Sequence, residues 1–232
     1  MLKKFNLYTY TNIKFFFLKL IYFSRNNEFF NYVYKNRKIS RSQNFQDLFV
    51  SYFSNNKKKG FFVEIGGGNG VDISNTYILE KKFNWDGVIC EPNKIWFSKI
   101  KKERKDKLIT KPITKICERN KFFYHCKDPY KSTIKKNNET LEISKINTLC
   151  LNHLLKNIRK KKIDYISIDT EGNELDIIKK FNFNKHYIKI FTIEHNFENK
   201  KRDKIYKIMK KNNYKRVFKY LSYMDDWYIK DF

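Results

Sequence analysis

The chain has 232 residues and only seven glycines, and four of those glycines fall in one stretch, Glu64-Ile65-Gly66-Gly67-Gly68-Asn69-Gly70. Glycine admits positive φ and lets a ligand press against bare backbone, so this turn reads as a small-molecule site more readily than as a plain tight connection. A dinucleotide fingerprint needs glycine at position 71, where Val71 stands. The acid at the head of the turn, Glu64, would repel a pyrophosphate. It would attract S-adenosylmethionine, which has no pyrophosphate and carries a cationic amino group and a sulfonium. Glu91 closes the next apolar run, where a carboxylate can accept both ribose hydroxyls. The cofactor contacts expected from the sequence are Glu64, Gly66, Gly68, Gly70, Glu91 and Asn93.

A second group of acids follows later apolar runs. Asp169-Thr170-Glu171-Gly172 ends one run and Glu194-His195-Asn196 ends the next. A carboxylate in a cleft can act as general base on a substrate hydroxyl, which makes Asp169, Glu171 and His195 the catalytic candidates. Asp169, Glu194 and His195 also offer oxygen and nitrogen ligands to a divalent cation such as Mg2+, which would acidify the same hydroxyl. The competing reading has Glu171 capping the helix that begins near Glu174 and His195 hydrogen-bonded as a structural residue. Near the C-terminus, Asp225-Asp226-Trp227-Tyr228 joins acids to aromatic rings. Asp226 and Trp227 either contact a sugar acceptor or form a turn into a last strand.

These residues need elements to hold them in place. Short apolar runs alternate with amphipathic stretches from Gly60 onward. Strands are predicted at Phe61–Ile65, Gly87–Glu91, Leu108–Pro112, Tyr165–Asp169, Ile188–Glu194, Tyr214–Tyr220 and Trp227–Ile229, with an inserted strand at Phe122–Cys126. Helices are predicted at Asn75–Lys82, Lys94–Lys102, Thr148–Lys156, Glu174–Lys180 and Lys201–Lys211. The alternation predicts an α/β fold, a mainly parallel sheet with helices on both faces. Such sheets bind ligands beyond the carboxyl ends of their strands, where all the acids above are placed. Residues 1–40 read as a helical N-terminal extension and 41–232 as one domain.

Composition adds less. Lys and Arg number 50 against 24 Asp and Glu, a net charge of +26. That balance suits nucleic acid or an anionic membrane surface. It also follows from the absence of alanine and the abundance of Lys, Asn, Ile, Phe and Tyr, all encoded by AT-rich codons, and lysine runs are usually solvated faces. No cysteine pair has CxxC spacing, so a zinc site is not expected, and Cys90 in an apolar run suggests a reducing, cytoplasmic compartment. Ile13–Phe23 is apolar but too short to span a bilayer and is broken by Lys14 and Lys19. It reads as a helix packed on the domain, with peripheral contact at a membrane interface as the alternative.

Taken in order, Gly60-Phe61-Phe62-Val63-Glu64-Ile65-Gly66 with Gly70, Ser74-Asn75-Thr76, Trp85-Asp86-Gly87 leading to Glu91-Pro92-Asn93, and Ile168-Asp169-Thr170-Glu171-Gly172 resemble the FkbM-type S-adenosylmethionine-dependent methyltransferases. Ser42-Gln43-Asn44-Phe45-Gln46-Asp47, Ile193-Glu194-His195 and Asp226-Trp227 fit the same pattern. The resemblance spans residues 40 to 230. It implies a Rossmann-like seven-stranded methyltransferase sheet with a last antiparallel strand, and O-methylation of a hydroxyl, often on sugars or natural products. It places the cofactor on Glu64, Gly66, Gly68, Gly70 and Glu91, and the active site near Asp169 and Glu171. Two departures are mild: Glu64 stands where the family often has Asp, and Gly67 where it often has Ala. The expected function is O-methylation of a sugar or glycan-type acceptor. The alternatives are an RNA methyltransferase, suggested by the charge, and a cofactor-binding scaffold in glycan assembly. The sequence has no Asn/Asp-Pro-Pro-aromatic motif of amine methylation, which weighs against a nucleobase acceptor.

Overall fold

A computed structural model describes residues 27–230, apart from Asp106 and Asn137. Ile13–Phe23, the stretch expected to pack on the domain or touch a membrane, lies outside the described residues. Among the described residues no helix is long and apolar enough to cross a membrane.

In chain order the elements are α1 (Asn27–Asn36), α2 (Gln46–Phe53), β1 (Phe61–Ile65), α3 (Tyr77–Phe83), β2 (Asp86–Cys90), α4 (Phe97–Glu103), β3 (Lys107–Ile109), β4 (Ile113–Thr114), β5 (Lys121–Cys126), β6 (Thr140–Ile146), β7 (Leu149–Cys150), α5 (Leu151–Ile158), β8 (Lys162–Ile168), α6 (Glu174–Lys180), β9 (Tyr187–Glu194), α7 (Asn199–Lys211), β10 (Tyr214–Val217) and β11 (Asp225–Lys230). A seven-stranded sheet runs in the order β10-β11-β9-β8-β1-β2-β3. The run from β9 through β8, β1 and β2 to β3 is parallel, and β11 lies antiparallel between β9 and β10. This is the mainly parallel α/β sheet expected from the alternating runs, in the Rossmann-like seven-stranded form that the family resemblance implies. The antiparallel strand sits one place in from the edge.

Alternation along each strand divides the core. Val63 and Ile65 of β1, with Ile166 and Ile168 of β8, pack on α5, α6 and α7 through Leu154, Leu155, Ile177, Ile178, Ile205 and Met209. Phe62, Tyr165, Ile190 and Trp227 face the other way, onto α1, α2 and α3 through Phe29, Val33, Leu48, Phe49, Ile78 and Leu79. The helix in the expected extension, α1, is therefore part of this second layer. Because residues alternate, Glu64 shares the face of Phe62, and its carboxylate is directed among polar groups of the 74–76 turn.

Several boundaries move for local reasons. The helix expected from Asn75 begins at Tyr77 because Ser74, Asn75 and Thr76 are bound to the Glu64 carboxylate. The strand expected over Leu108–Pro112 stops at Ile109, and Pro112, which has no N–H, accepts from Leu149 and leads into the short β4–β7 pair. That pair takes Leu149 and Cys150, so α5 starts at Leu151 and not at Thr148. The strand expected to reach Tyr220 ends at Val217, where Phe218 turns to φ 50°. The stretch predicted as one helix over Lys94–Lys102 is a 3-10 turn, Lys94–Trp96, followed by α4. The elements not predicted from the sequence are α2, β6 and the short strands β4 and β7. β5 and β6 form an antiparallel hairpin outside the main sheet. The segment joining them carries the 3-10 turn Pro129–Lys131.

Candidate active site

The carboxyl ends of β1, β2, β8 and β9 open onto a cavity of ≈ 350 Å³. Its walls include Glu64, Gly66, Gly67 and Gly68 of the glycine turn, Glu91 after β2, Asp169 and Glu171 after β8, and Glu194 at the end of β9. Phe123, Tyr130, Ser132 and Thr133 close it from the β5–β6 insert.

The glycines are dictated by close approach. Gly66 has φ +85°, and a Cβ there would fall 1.6 Å from the Asp169 carbonyl oxygen. Gly68 has φ +50°, and its Cβ would meet the Tyr130 ring at 2.6 Å. The turn is pinned to the neighbouring strand by the Gly66 N–H, which donates to the Cys90 carbonyl at 2.9 Å. Gly70 does not line the cavity. Its carbonyl accepts from Arg104 Nη1 at 2.9 Å, so it serves the turn's back side.

Glu64 and Glu91 are both anchored by the protein. Glu64 accepts from Ser74 Oγ, the Asn75 N–H at 2.7 Å and Thr76 Oγ1 at 2.5 Å. Arg104 lies 3.7 Å away. Burial raises the Glu64 carboxyl, and Arg104 with these donors opposes the rise. Most of its capacity is thus spent organising the 74–76 turn. Glu91 Oε2 accepts from the Gly68 N–H at 2.8 Å and Oε1 from the Asn93 N–H at 2.7 Å. Burial pushes Glu91 up to about 8 against the pull of those two N–H groups. It still lines the cavity with its carboxylate fixed in place, as a ribose acceptor requires. Asn93, expected as a cofactor contact, does not line the cavity. Its side chain donates to the Pro129 carbonyl and Ser132 Oγ, both at 3.2 Å, and so ties the insert to the end of β2.

At the other end of the cavity the carboxylates crowd together. One oxygen each of Asp169, Glu174 and Glu194 lie within 4.8 Å of one another. Glu174 is committed: Oε1 accepts from the Thr170 and Gly172 N–H groups, both at 2.9 Å, and Oε2 pairs with Lys201 at 3.1 Å. Burial would raise its carboxyl, but Lys201 and those N–H groups hold it below the usual range. Among the described residues no cation forms an ion pair with Asp169 or Glu194. Burial and then Asp225 lift Asp169 far above the usual range. Burial and then Asp169 push Glu194 up to about 11. Two carboxyls this close hold a proton between them at neutral pH. Glu194 is buried, 4% exposed, yet faces the cavity. Its Oε2 has no hydrogen-bond partner among the described residues. Glu171 lies beside them in the left-handed region at φ 56°, and burial raises its carboxyl. It does not cap the following helix; the donors there go to Glu174.

Three expectations are corrected. His195 is 1% exposed and uses both ring nitrogens: Nδ1 accepts from the Phe197 N–H at 3.1 Å, and Nε2 donates to the Asp225 carbonyl at 3.1 Å. Burial also lowers its pKa. It is neither a free base nor a ligand, and Glu174 takes its place in the oxygen cluster. Asp226 lies in the core, accepting from Arg202 at 2.7 Å and from Arg216 at 3.0 Å. Trp227 is fully buried and stacks on Phe49 at 4.6 Å. Neither reaches an acceptor.

Other contributors were not recognised from sequence. Arg104 donates Nε to Glu80 at 2.6 Å and Nη2 to Thr76 at 3.0 Å, clamping the turn behind Glu64. Asn69 Nδ2 donates to the Tyr130 hydroxyl at 2.6 Å, joining turn to insert. Thr133 Oγ1 donates to the carbonyls of Thr170 and Glu171 at 3.2 Å. In the stretch from Ser42 to Asp47, Asp47 accepts from Ser40 and Ser42, and Gln46 Nε2 donates to Asp225 Oδ2 at 2.5 Å. That motif braces the acidic end from behind, and only its Gln43 lines the cavity.

The glycine turn, with Val71 where a dinucleotide fingerprint needs glycine, the fixed carboxyl after β2 and the acids after β8 and β9 thus share one cavity at the carboxyl edge of a Rossmann-like sheet. Residues 64–216 match the model of the methyltransferase FkbM domain. The chain belongs to that family and is an S-adenosylmethionine-dependent methyltransferase. A search of curated proteins gives no match. Among solved structures the chain is similar to a precorrin-6y C5,15-methyltransferase from Geobacter metallireducens, at 11% identity and TM-score 0.43, covering 77% of this chain and 76% of that one. It is also similar to the METTL16 MTase domain, at 13% identity and TM-score 0.46, covering 79% of this chain and 64% of that one. Neither likeness carries a functional argument.

Proposed function

We propose that the enzyme transfers a methyl group from S-adenosylmethionine to a hydroxyl oxygen of a sugar or glycan-type acceptor. The observation that carries this is the Asp169–Glu194 pair, which faces the same cavity as the glycine turn and has one unpartnered oxygen. As the acceptor oxygen attacks the methyl carbon, the carbon–sulfur bond breaks and its electron pair stays on sulfur, leaving S-adenosylhomocysteine. The hydroxyl proton passes to the carboxylate pair, which is placed to act as general base. Glu64 and Glu91 supply fixed carboxyl oxygens as acceptors for the cofactor's amino and hydroxyl groups, and the Gly66–Gly68 backbone lets it approach.

The acceptor class rests on the lining. The cavity walls hold Glu64, Glu91, Asp128, Asp169, Glu171 and Glu194 but, among the described residues, Lys131 is the one lysine. A phosphate-rich nucleic acid would find a single cation there for its phosphates despite the net charge of +26. A neutral polyhydroxylated acceptor meets carboxylates that accept its hydroxyls and the Phe123 ring for its CH face. A second arrangement has Asp169 and Glu194, with Glu174 in reach, binding a divalent cation such as Mg2+ that acidifies the hydroxyl. We place the reaction in the cytoplasm, with acceptors at the membrane surface within reach.

Incubation with labelled methyl donor, in parallel with cell-surface polysaccharide precursors and with total RNA, each with and without chelator, tests the reading. Label in the carbohydrate fraction supports it, and chelator sensitivity selects the metal arrangement. Label confined to RNA overturns it.

A further inference from the structure

Cys117 and Cys150 meet at the neck of the β5–β6 insert. Their sulfurs lie 3.3 Å apart, and the Cys150 N–H donates to Cys117 Sγ at 3.2 Å. The neck around them is held by backbone. β4 and β7 pair Thr114 with Cys150. The Thr148 N–H donates to the Glu118 carbonyl at 2.8 Å, and the Glu118 N–H donates to Thr148 Oγ1 at 2.8 Å. Cys117 is exposed and Cys150 partly so, whereas Cys90 and Cys126 are buried. Accessibility and proximity therefore single out one pair among the four thiols.

We propose that Cys117 and Cys150 are a modification site: they join as an intramolecular disulfide when the protein meets a small-molecule disulfide such as oxidised glutathione. Closing the bond needs the sulfurs to approach by a little over ~1 Å, to the usual ~2.05 Å. The exposed Cys117 thiolate attacks one sulfur of the small disulfide and expels its partner as a thiolate. The Cys150 thiolate then attacks the Cys117 sulfur and expels the second small thiolate. Two protein thiols are oxidised to one disulfide and one small disulfide is reduced to two thiols, with the two protein protons passing to the products. Burial raises the Cys150 thiol above its ordinary range, which fits the resolving role and not the attacking one.

The bond closes the chain around the segment that carries Phe123, Tyr130 and Thr133 to the cavity. Oxidation thus ties the insert's two roots together and narrows the range over which that wall can move. The cross-link does not depend on the identity of the methyl acceptor.

The test uses the full chain, folded, incubated with excess oxidised glutathione, then denatured and alkylated with a maleimide. Mass spectrometry is expected to show loss of two hydrogens, a linked peptide pair containing Cys117 and Cys150, and alkylated Cys90 and Cys126. The thermal midpoint is expected to rise and to return on reduction. Cys150→Ser should stop at a glutathione adduct on Cys117, and Cys117→Ser should react at least tenfold more slowly. Four alkylated thiols, a persistent glutathione adduct on the wild-type chain, or a different pairing would overturn the proposal. If either serine variant fails to fold, the wild-type peptide map decides alone.

Discussion

Replacing Glu194 by glutamine should stabilise the protein while impairing it. An unfolded glutamate ionises above its ordinary value of 4.5, whereas the folded site holds the Glu194 proton up to about 11. Between those limits the folded state binds the extra proton, so stability is fully present below pH 4.5 and falls as pH rises through the window. Each unit costs about 1.4 kcal/mol, so between pH 4.5 and pH 7 the loss comes to about 3.5 kcal/mol. Asp169 shares the proton, which reduces the part belonging to Glu194. Glutamine keeps the shape and a hydrogen bond to Asp169 but has nothing to ionise. Glu194→Gln is therefore expected to gain ~1–3 kcal/mol at pH 7. Its stability should also fall less steeply between pH 6 and pH 9. Urea melts at several pH values in the presence of chelator would measure both, and the same preparation should lose methyl transfer. Destabilisation at pH 7, or a pH slope equal to the wild type, would refute the shared-proton account.

Other outcomes follow from single contacts. Gly66→Ala places a Cβ 1.6 Å from the Asp169 carbonyl at φ +85°; it should abolish S-adenosylhomocysteine binding by calorimetry or prevent folding, and wild-type affinity would contradict the packing described. Arg104→Ala leaves Glu80 and Glu64 without their buried cation and should cost about 3–5 kcal/mol in chemical denaturation. Asp226→Ala unpairs Arg202 and Arg216 and should lower stability by ~2–4 kcal/mol while kcat/KM stays within about threefold; a selective rise in acceptor KM would return Asp226 to the substrate site.

What could be read from sequence was whatever sits next to its neighbours in the chain. Gly66, Gly68 and Glu64 are consecutive with their strand, and the end of an apolar run marks Glu91, Asp169 and Glu194, so the cavity's edge was legible. Residues whose role depends on a distant partner were not. His195 has the right type for a ligand, and only the fold reveals that Phe197 and Asp225 occupy its nitrogens. Asp226 and Trp227 suit a sugar by composition, but the antiparallel β11 turns them into the core against Arg202, Arg216 and Phe49. Glu174 joins the cluster because α6 brings its carboxylate within 4.8 Å of Asp169 and Glu194, and Arg104 sits in a lysine-rich run that gives no sign of burial. β6 does carry strand-like alternation, Leu141 and Ile143 between Thr140, Glu142 and Ser144, but both apolar residues are exposed and no buried face goes with the pattern.

We propose that the Asp169 end of the cavity removes a hydroxyl proton while the glycine turn holds the methyl donor. It is tested most directly with deuterated-methyl donor, wild-type enzyme and Asp169→Asn, on the acceptor fraction that takes up label. The expected product is a deuterated methyl ether on a sugar carbon. The variant is expected to lose roughly 10²–10⁴-fold in rate while binding S-adenosylhomocysteine within about threefold of wild type. Label on nitrogen, or undiminished transfer by Asp169→Asn, would contradict it.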